Sequence, residues 1–283
     1  MMFTNTTFAP RKIIPVKTMN ESISSSTGRR SAILQLLKQN SNISVTELSK
    51  KFGVSEVTIR KDLNLLKERN LLVRTRGGAI LHETRKDDND TSIRFKKLAN
   101  YREKKAIGRA AANLIKDGDT IIIDSGTTAL QVACNLHRFR NLTIITNALN
   151  VAQEVLAYKR FNVILLGGNI RNASESVVGA LAESNLKMFY CDKLFMGVDS
   201  FSIDNGLSTP NVEEANINQI MISRSQEVIA VFDSSKVNKR ALAFITSLDK
   251  IHTVVTDDGM DKSTRSQLKG MNVEVITVKA DPV

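Results

Sequence analysis

Seven short apolar segments, separated by stretches of helical character, occupy the chain from residue 120 to residue 278. They are TIIID (120–124), LTIITN (142–147), NVILLGG (162–168), KLFMGVD (193–199), EVIAVFD (227–233), HTVVTDD (252–258) and VEVITV (273–278). Continuous apolar runs of this length are typical of strands buried on both faces, and helical connections make such strands parallel. The pattern predicts an α/β domain over residues 100–283, built on a mostly parallel sheet.

Polar residues follow several of these predicted strands. In a parallel sheet the carboxyl ends of the strands meet at one edge, where loops bind ligands. The first loop, Ser125–Thr128, sets a glycine among hydroxyls before a helix, and such a loop offers backbone N–H groups to a phosphate. Later strand ends add Asn147, Gly168, Asp199 and Lys236. Together these residues predict a site for a small phosphorylated, polyhydroxylated molecule.

Each of these features is also common where nothing binds. A Ser-Gly-Thr-Thr turn is usually an ordinary helix cap, Gly-Gly is usually a turn, and one lysine is usually solvated; their recurrence at successive strand ends favours a site. The sequence has no GxxxxGK[ST] loop and no GxGxxG fingerprint. Its two cysteines, Cys134 and Cys191, lack metal-ligand spacing. We therefore expect no cofactor, no metal and reduced core cysteines.

The segment SVTELSKKFGVSEVTIRKDLNLLK (44–67) has the pattern of two short helices around a tight turn. Ser44 and Glu47 form a capping box at the start of the first helix, and Gly53 supplies the turn after it. The second helix buries a stripe of Ile59, Leu63 and Leu66. Ile33, Leu36 and Leu37 indicate a preceding helix that closes a small core. This layout predicts a helix-turn-helix that places its second helix in the major groove of DNA.

The front of the second helix carries hydroxyl and basic residues, with Glu56 among them. Behind it, LLVRTRGGAIL (71–81) predicts a hairpin that turns at Gly77-Gly78 and presents two arginines as a wing. The alternative is that these basic residues form only a solvated face. The residues that we expect to contact DNA are Ser44, Thr46, Ser55, Val57, Thr58, Arg60, Lys61, Arg74 and Arg76.

The distribution of charge agrees with DNA binding by the first third of the chain. Residues 1–105 contain 22 Lys/Arg and 10 Asp/Glu, a balance of +12, whereas residues 106–283 contain 18 and 19, a balance of −1; together they give the whole-chain +11. A basic module beside a neutral domain predicts that the module binds a polyanion. Charge alone leaves DNA and RNA open.

Composition also divides the chain into segments. Residues 1–28 are polar and lack the apolar core of a signal peptide, so we expect a flexible extension and a cytoplasmic protein. No apolar run approaches the length that crosses a membrane. A DNA-binding domain at 29–82 is followed by a charged linker at 83–99, with a docking element at Ile93 and Phe95.

Nearly the whole chain resembles the DeoR family of bacterial transcription regulators. VSEVTIRKDLNLL and RTRGGAIL fit the family's N-terminal winged helix-turn-helix, and IIDSGTT, TNALNVA, LLGGNIR, GVDSF and VFDSSK fit its effector domain. Within the family, the sequence is most similar to the branch typified by the N-acetylgalactosamine operon repressor. Lys61 departs from the family pattern, in which a second arginine often follows the first, so Lys61 is expected to hold a phosphate rather than a base.

The resemblance implies a fold similar to ribose-5-phosphate isomerase and a repressor of a sugar-catabolic operon, released from operator DNA by a phosphorylated sugar. It also implies dimers or higher homo-oligomers. By matching motifs, the effector pocket would consist of Asp124, Ser125, Gly126, Thr127, Thr128, Asn147, Gly168, Arg171, Asp199, Glu213 and Lys236. The effector would be an amino-sugar or galactose-type phosphate.

Two other functions fit parts of the sequence. A sugar-phosphate isomerase or deaminase with an appended DNA-binding module would use a carboxylate to move a proton and a cation to stabilise the enediolate, and Asp199, Glu213 or Glu214, and Lys236 are of those types. None of the three histidines lies in a predicted site loop, and DSFSIDNG lacks the DGAD string of the isomerases. The other alternative is a DNA-binding module beside a purely structural domain. A response to ligand distinguishes these functions.

Overall fold

A computed structural model describes residues 26–39, 42–68, 72–75, 77–81 and 93–280. The chain divides into two compact units, residues 1–85 and residues 86–283. Most of the predicted N-terminal extension and Arg76 of the predicted wing lie outside the described residues. No helix in the described ranges is long and apolar enough to cross a bilayer.

The described residues of the smaller unit form three helices: α1 (Ser26–Gln39), α2 (Val45–Phe52) and α3 (Glu56–Glu68). The capping box predicted at the start of α2 is present, because Ser44 Oγ accepts from the Glu47 N–H while the Glu47 carboxylate accepts from the Ser44 N–H. Gly53 ends α2 with a φ of 63°. Ser55 caps α3 by accepting from the Thr58 N–H at 3.3 Å. The predicted helix-turn-helix is therefore confirmed.

The small core forms where the three helices meet. Ile33 and Leu37 of α1 pack with Leu48 of α2 and with Ile59 and Leu63 of α3, and all five side chains are buried.

An ion-pair cluster beside this core joins the first helix to the third. Asp62 of α3 is almost fully buried and pairs with Arg29 at 2.6 Å and Arg30 at 2.9 Å on α1. Without the Asp62 carboxylate the two arginines would lack their partner, and without the arginines the carboxylate would be buried and unpaired. The position of α3 therefore depends on Asp62 as well as on the apolar stripe.

The predicted hairpin forms a three-stranded antiparallel sheet with one more strand. Its strands are β1 (Ile43–Ser44), β2 (Leu72–Thr75) and β3 (Gly78–Leu81), in the order β1-β3-β2. The prediction of a turn at Gly77-Gly78 was wrong by one residue, because Gly78 pairs with both Thr75 and Ser44 as a strand residue. A Cβ at Gly78 would lie 2.1 Å from the Ile43 carbonyl oxygen, so this glycine permits the close approach of β1.

The larger unit is built on a seven-stranded parallel sheet, and each strand matches one of the seven predicted segments. The strands are β4 (Thr120–Ile123), β5 (Thr143–Thr146), β6 (Asn162–Leu165), β9 (Cys191–Gly197), β12 (Ser225–Val231), β14 (Thr253–Asp257) and β15 (Glu274–Val278). Their order is β15-β14-β12-β9-β4-β5-β6, and every pairing is parallel. The predicted α/β class is confirmed.

Helices cover both faces of this sheet and bury two separate apolar clusters. They are α4 (Ile93–Leu98), α5 (Tyr101–Ala112), α6 (Thr127–Ala133), α7 (Leu149–Leu156), α8 (Ala180–Leu186), α9 (Val212–Ser223) and α10 (Lys262–Gly270). A hairpin, β7 (Asn169–Arg171) and β8 (Ser176–Val178), follows β6. Two strands after β9, β10 (Ser200–Ser202) and β11 (Gly206–Thr209), form a small sheet with β13 (Ala243–Thr246), which follows β12. These additions leave the sheet at the carboxyl ends of its strands.

Helix α4 lies within the stretch predicted as a linker. Ile93, named in that prediction as a docking residue, is buried, and its N–H donates to the Ala173 carbonyl at 2.8 Å. The Phe95 side chain lies outside what the structure describes. The last part of the predicted linker is thus helical and packs within the larger unit.

Candidate functional site

A cavity opens at the carboxyl ends of β4 and β9. Seven of the eleven residues predicted for the effector pocket line it: Asp124, Ser125, Gly126, Thr127, Thr128, Asp199 and Lys236. They come from three loops that are far apart in sequence and meet because β12, β9 and β4 are neighbours in the sheet. The cavity walls also contain residues that the sequence patterns did not indicate.

The loop after β4 turns toward the cavity at Gly126. This residue has a φ of 112°, which side chains rarely allow, and no atom lies within 4 Å of a Cβ built on it. The following residues, Thr127 and Thr128, are buried at the start of α6 and line the cavity. The loop therefore presents its backbone and two hydroxyl side chains at the cavity surface. At Gly126 there is open space where a side chain would otherwise stand.

Two lysines and a carboxylate form a charged group on one wall. Lys96 Nζ of α4 lies 2.7 Å from Asp199 Oδ1, and both side chains are mostly buried. Burial acts to raise the pKa of Asp199, but the nearby Lys96 and Lys236 hold that pKa below its usual value. Burial lowers the pKa of Lys236, with Asp199 opposing the effect. Asp199 is thus ionised at neutral pH between two cationic side chains.

A third lysine, Lys104 of α5, is 3% exposed. Its Nζ donates to the carbonyl oxygens of Lys96 at 2.6 Å and Ala99 at 2.7 Å, and lies 3.8 Å from Asp233 Oδ2. Burial lowers the pKa of Lys104 to about 8, while Asp233 opposes that effect and Lys236 and Lys96 add to it. An anion in the cavity would stabilise the charged ammonium and so raise the pKa of Lys104 again.

Asp124 lies at the base of the cavity and is almost fully buried. Burial raises the pKa of its carboxyl to about 7, with a smaller contribution from Glu214, while a hydrogen bond with the Asn218 side chain opposes the rise. Its Oδ1 atom has no hydrogen-bond partner. A buried polar atom without a partner is rare, and here it belongs to a residue that lines the cavity.

The carboxylate that α9 supplies to the cavity is Glu214. The predicted residue, Glu213, is exposed and does not line the cavity. Glu214 Oε1 lies 3.3 Å from Arg171, and Glu214 Oε2 accepts from Thr209 Oγ1 at 3.2 Å. Arg171 therefore borders the site through Glu214 and is not itself a lining residue.

Two further predicted residues are not part of the cavity lining. Asn147 is fully buried after β5, where its side-chain amide donates to the Val177 carbonyl at 3.3 Å and so connects the sheet to β8. Gly168 has a φ of 151°, and a Cβ there would lie 2.8 Å from the Val178 carbonyl oxygen. Both residues hold the β7–β8 hairpin against the end of the sheet.

Five polar residues of the lining were not predicted from the sequence: Lys96, Lys104, Ser174, Thr209 and Asn218. A sixth, Glu214, was named there only for the enzymatic alternative. Ligand residues of a parallel sheet are expected at strand ends, whereas four of these six residues lie on α4, α5 and α9. Ser174 lies between β7 and β8, and Thr209 is the last residue of β11. For Glu214 the sequence did contain a signal, because two acidic residues stand together at the start of α9. Successive helix residues point about 100° apart, so only one of the two lines the cavity.

The second helix of the helix-turn-helix exposes its N-terminal residues as predicted. Val57 is 72% exposed, and Arg60 and Lys61 are also exposed. Glu56 accepts from Arg60 at 2.7 Å and from Thr46 Oγ1 at 2.9 Å. An exposed pair of this kind contributes little to stability, so a nucleic acid can displace it at small cost.

Five other described residues were predicted to contact DNA: Ser44, Thr46, Ser55, Thr58 and Arg74. Thr58 is half-buried, and its hydroxyl lies 3.0 Å from Ser55 Oγ. Three of the five have structural roles here. Ser44 and Ser55 cap their helices. Arg74 of β2 donates to the Arg60 carbonyl at 3.0 Å and to Asn64 Oδ1 at 2.8 Å, so its guanidinium connects the hairpin to α3. It is not extended as a wing in this structure.

Comparison with known families separates the same two parts of the chain. Residues 29–85 match the model of the DeoR-like helix-turn-helix domain, and residues 99–258 match the model of the DeoR C-terminal sensor domain. The chain belongs to the DeoR family. It is accordingly a DNA-binding transcriptional regulator with a sensor domain. All the residues that line the cavity, except Ile93 and Lys96 of α4, lie within that sensor domain.

Individual relatives cover most of this DeoR-family chain. A protein of Escherichia coli O157:H7, named as a transcriptional repressor of the aga operon, is 35% identical over 88% of this chain and 93% of its own. The glycerol-3-phosphate regulon repressor of Escherichia coli K12 is 34% identical over 82% and 90%.

Among solved structures, ribose 5-phosphate isomerase A of Methanocaldococcus jannaschii is similar, with a TM-score of 0.38 and 17% identity over 50% of this chain and 56% of that one. The family assignment depends on the sequence matches and not on this partial likeness.

Proposed function

We propose that this regulator represses a sugar-catabolic operon and that a phosphorylated sugar, bound in the cavity of the sensor domain, releases it from operator DNA. DNA binding belongs to residues 29–82 and sensing to residues 100–283, together with α4 from the intervening stretch. The family relatives named for the aga operon and the glycerol-3-phosphate regulon support a ligand of this class.

The observation that carries the proposal is the distribution of charge within the cavity. Lys96, Lys104 and Lys236 lie on its walls near the hydroxyl-rich loop, Ser125–Thr128. Three ammonium groups, hydroxyl donors and loop N–H groups are what a phosphate dianion requires when it leaves water. An unphosphorylated sugar has no anionic group to pair with these cations, whereas a phosphate would add charge-assisted hydrogen bonds to them.

The remaining polar groups suit the rest of a sugar. Asp124 and Glu214 present carboxyl oxygens to the same cavity, and Asn218 presents an amide. Carboxylate oxygens accept hydrogen bonds from sugar hydroxyl or amino groups, and the unpartnered Oδ1 of Asp124 is a free acceptor for one of them. The ligand would therefore place its phosphate among the lysines and its hydroxyls against the carboxyls.

For DNA, we assign base contacts to the exposed front of α3, with Arg60 as the residue that reads guanine and Lys61 as a phosphate contact. Val57 presents an apolar surface suited to a thymine methyl group. A homo-oligomer would place two such helices on repeated half-sites. A ligand that favours one arrangement of the subunits would then prevent both half-sites from being occupied together.

A thermal-shift series tests ligand binding. The probes are inorganic phosphate, glycerol 3-phosphate, galactosamine 6-phosphate and N-acetylgalactosamine 6-phosphate, with the unphosphorylated sugars as controls. A phosphorylated probe at 100 times its Kd should stabilise the sensor domain by about 2.7 kcal/mol, and the unphosphorylated sugars should not. Equal responses to phosphorylated and unphosphorylated probes, or no response to any, would contradict the proposal.

The same samples examine the enzymatic alternative. Asp124 and Lys104 have shifted pKa values near neutrality, a property shared with catalytic acids and bases. Incubation with aldose and ketose phosphates, followed by chromatography of the products, measures interconversion. The regulator proposal expects none above the buffer control.

A further inference from the structure

Helix α4 connects the effector cavity to the DNA-binding unit along the chain. The smaller unit ends its last strand at Leu81, and the next described residue, Ile93, begins α4. Ile93 and Lys96 of this one helix both line the cavity. The first described element after the DNA-binding unit is therefore also a wall of the proposed ligand site.

Contacts with charged side chains hold α4 in place. Lys96 pairs with Asp199 at 2.7 Å, whereas the longer and more exposed pair of Lys97 with Glu175, at 3.4 Å, contributes little. At the C-terminal end of the helix, the buried ammonium of Lys104 donates to the carbonyl oxygens of Lys96 and Ala99. Two of these contacts, those of Lys96 and Lys104, involve cations that line the cavity, so an anion there would compete for the same charges.

We propose that Lys96 binds the anionic group of the effector directly and that this contact, made by the helix that follows the DNA-binding unit, couples the cavity to DNA release. The inference rests on the proposed function, since it assigns to one residue both ligand binding and transmission. A bound phosphate would replace Asp199 as the ion-pair partner of Lys96. The position of α4 would then differ between the free and bound states.

The neighbouring lysine provides an internal comparison. Successive residues of a helix point about 100° apart, so Lys96 and Lys97 project from different sides of α4. Lys96 is 20% exposed and lines the cavity; Lys97 is 38% exposed, pairs with Glu175 and does not line it. Both are lysines in one turn of one helix, and only one of them can contact the ligand.

Affinity and coupling are separate quantities, and Lys96 should affect both. Lys236 lines the same cavity from the loop after β12 and has no part in α4. Loss of Lys236 should weaken ligand binding but leave full release at saturating ligand. Loss of Lys96 should weaken binding and also reduce the release that saturation produces, because coupling requires different contacts in the two states.

The test compares full-length wild type, Lys96→Met, Lys97→Met and Lys236→Ala. Calorimetry measures the Kd for N-acetylgalactosamine 6-phosphate and for inorganic phosphate. Fluorescence anisotropy measures the affinity for an operator fragment selected by the wild-type protein, without ligand and at saturation. Hydrogen exchange of peptides covering residues 93–101 reports whether ligand alters α4.

In Lys96→Met we expect at least tenfold weaker ligand binding, a smaller release ratio at saturation, and loss of the ligand-induced change in exchange; Lys97→Met should match wild type in all three. Equal ligand affinity and equal release in Lys96→Met and Lys97→Met would overturn the inference while leaving the proposed function intact. Failure of wild type to bind either probe, or to release operator when bound, would overturn the proposed function and the inference with it.

Discussion

Replacement of Asp124 by asparagine should stabilise the sensor domain at alkaline pH and not at acidic pH. Burial raises the pKa of this carboxyl to about 7, whereas an unfolded chain has a value near 3.8. Between those two values the folded state holds a proton that the unfolded state has lost, so stability falls as pH rises toward 7. Asparagine fills the same space and cannot ionise.

The size of the effect follows from the pH interval. From pH 5 to pH 7 the Asp124 carboxyl lowers the free energy of unfolding of the wild type by about 3 kcal/mol, at about 1.4 kcal/mol per pH unit. The free energy of unfolding of Asp124→Asn minus that of wild type should therefore increase by about this amount between pH 5 and pH 8. Tyrosine fluorescence during urea denaturation reports the larger unit alone, because all three tyrosines lie there and the chain has no tryptophan.

Asp199→Asn is the matched control. It removes a carboxyl of the same cavity whose pKa is shifted in the opposite direction. Despite its burial, the pKa of Asp199 is held below its usual value by Lys96 and Lys236. Its ionised form therefore adds stability above pH 4 that is lost as pH falls, and Asp199→Asn should destabilise the domain at pH 8. A pH-independent difference between Asp124→Asn and wild type would refute the assignment of a buried, partly protonated Asp124.

Three further predictions concern the DNA-binding unit. Asp62→Asn should destabilise the helix-turn-helix by about 3–5 kcal/mol, because it leaves Arg29 and Arg30 beside a neutral group; hydrogen exchange of α3 measures the loss, and protection equal to wild type would exclude the role. Gly78→Ala should cost about 1–3 kcal/mol or more through the clash with the Ile43 carbonyl, whereas Gly77→Ala, with open space around it, should cost far less by the same assay. Arg60→Ala should weaken operator binding by about 1–3 kcal/mol with loss of sequence preference, while Lys61→Ala should weaken all sequences alike and reduce the salt dependence; identical profiles for the two would contradict their separate roles.

Elements defined by local patterns were predictable from the sequence. Each strand of the main sheet is a continuous apolar run, and the start of α2 is specified by Ser44 and Glu47 within one turn. The loop at Ser125–Thr128, Asp199 and Lys236 were found because parallel topology alone brings strand ends to one edge.

Residues placed by tertiary packing were not predictable in the same way. Lys104 lies in a helix that precedes the first strand of the sheet, and nothing nearby in sequence marks it as a cavity residue. The choice between Glu213 and Glu214 depends on the rotation of α9, which one residue changes by about 100°. Gly78 was predicted to lie in a turn, whereas it is a strand residue that packs against β1. The sequence around Gly78 does not show this contact, because β1 is more than thirty residues earlier in the chain.

The most direct test of ligand-controlled repression is a titration of the operator complex. The full-length protein, bound to a fluorescent operator fragment selected from random DNA, is titrated with phosphorylated amino sugars and hexoses and with their unphosphorylated forms. We expect at least one sugar phosphate to lower operator affinity fivefold or more, with its unphosphorylated form inactive and with the response of Lys236→Ala shifted to higher ligand concentrations. Operator affinity that no sugar phosphate changes, although the protein binds that compound, would contradict the link between cavity and DNA.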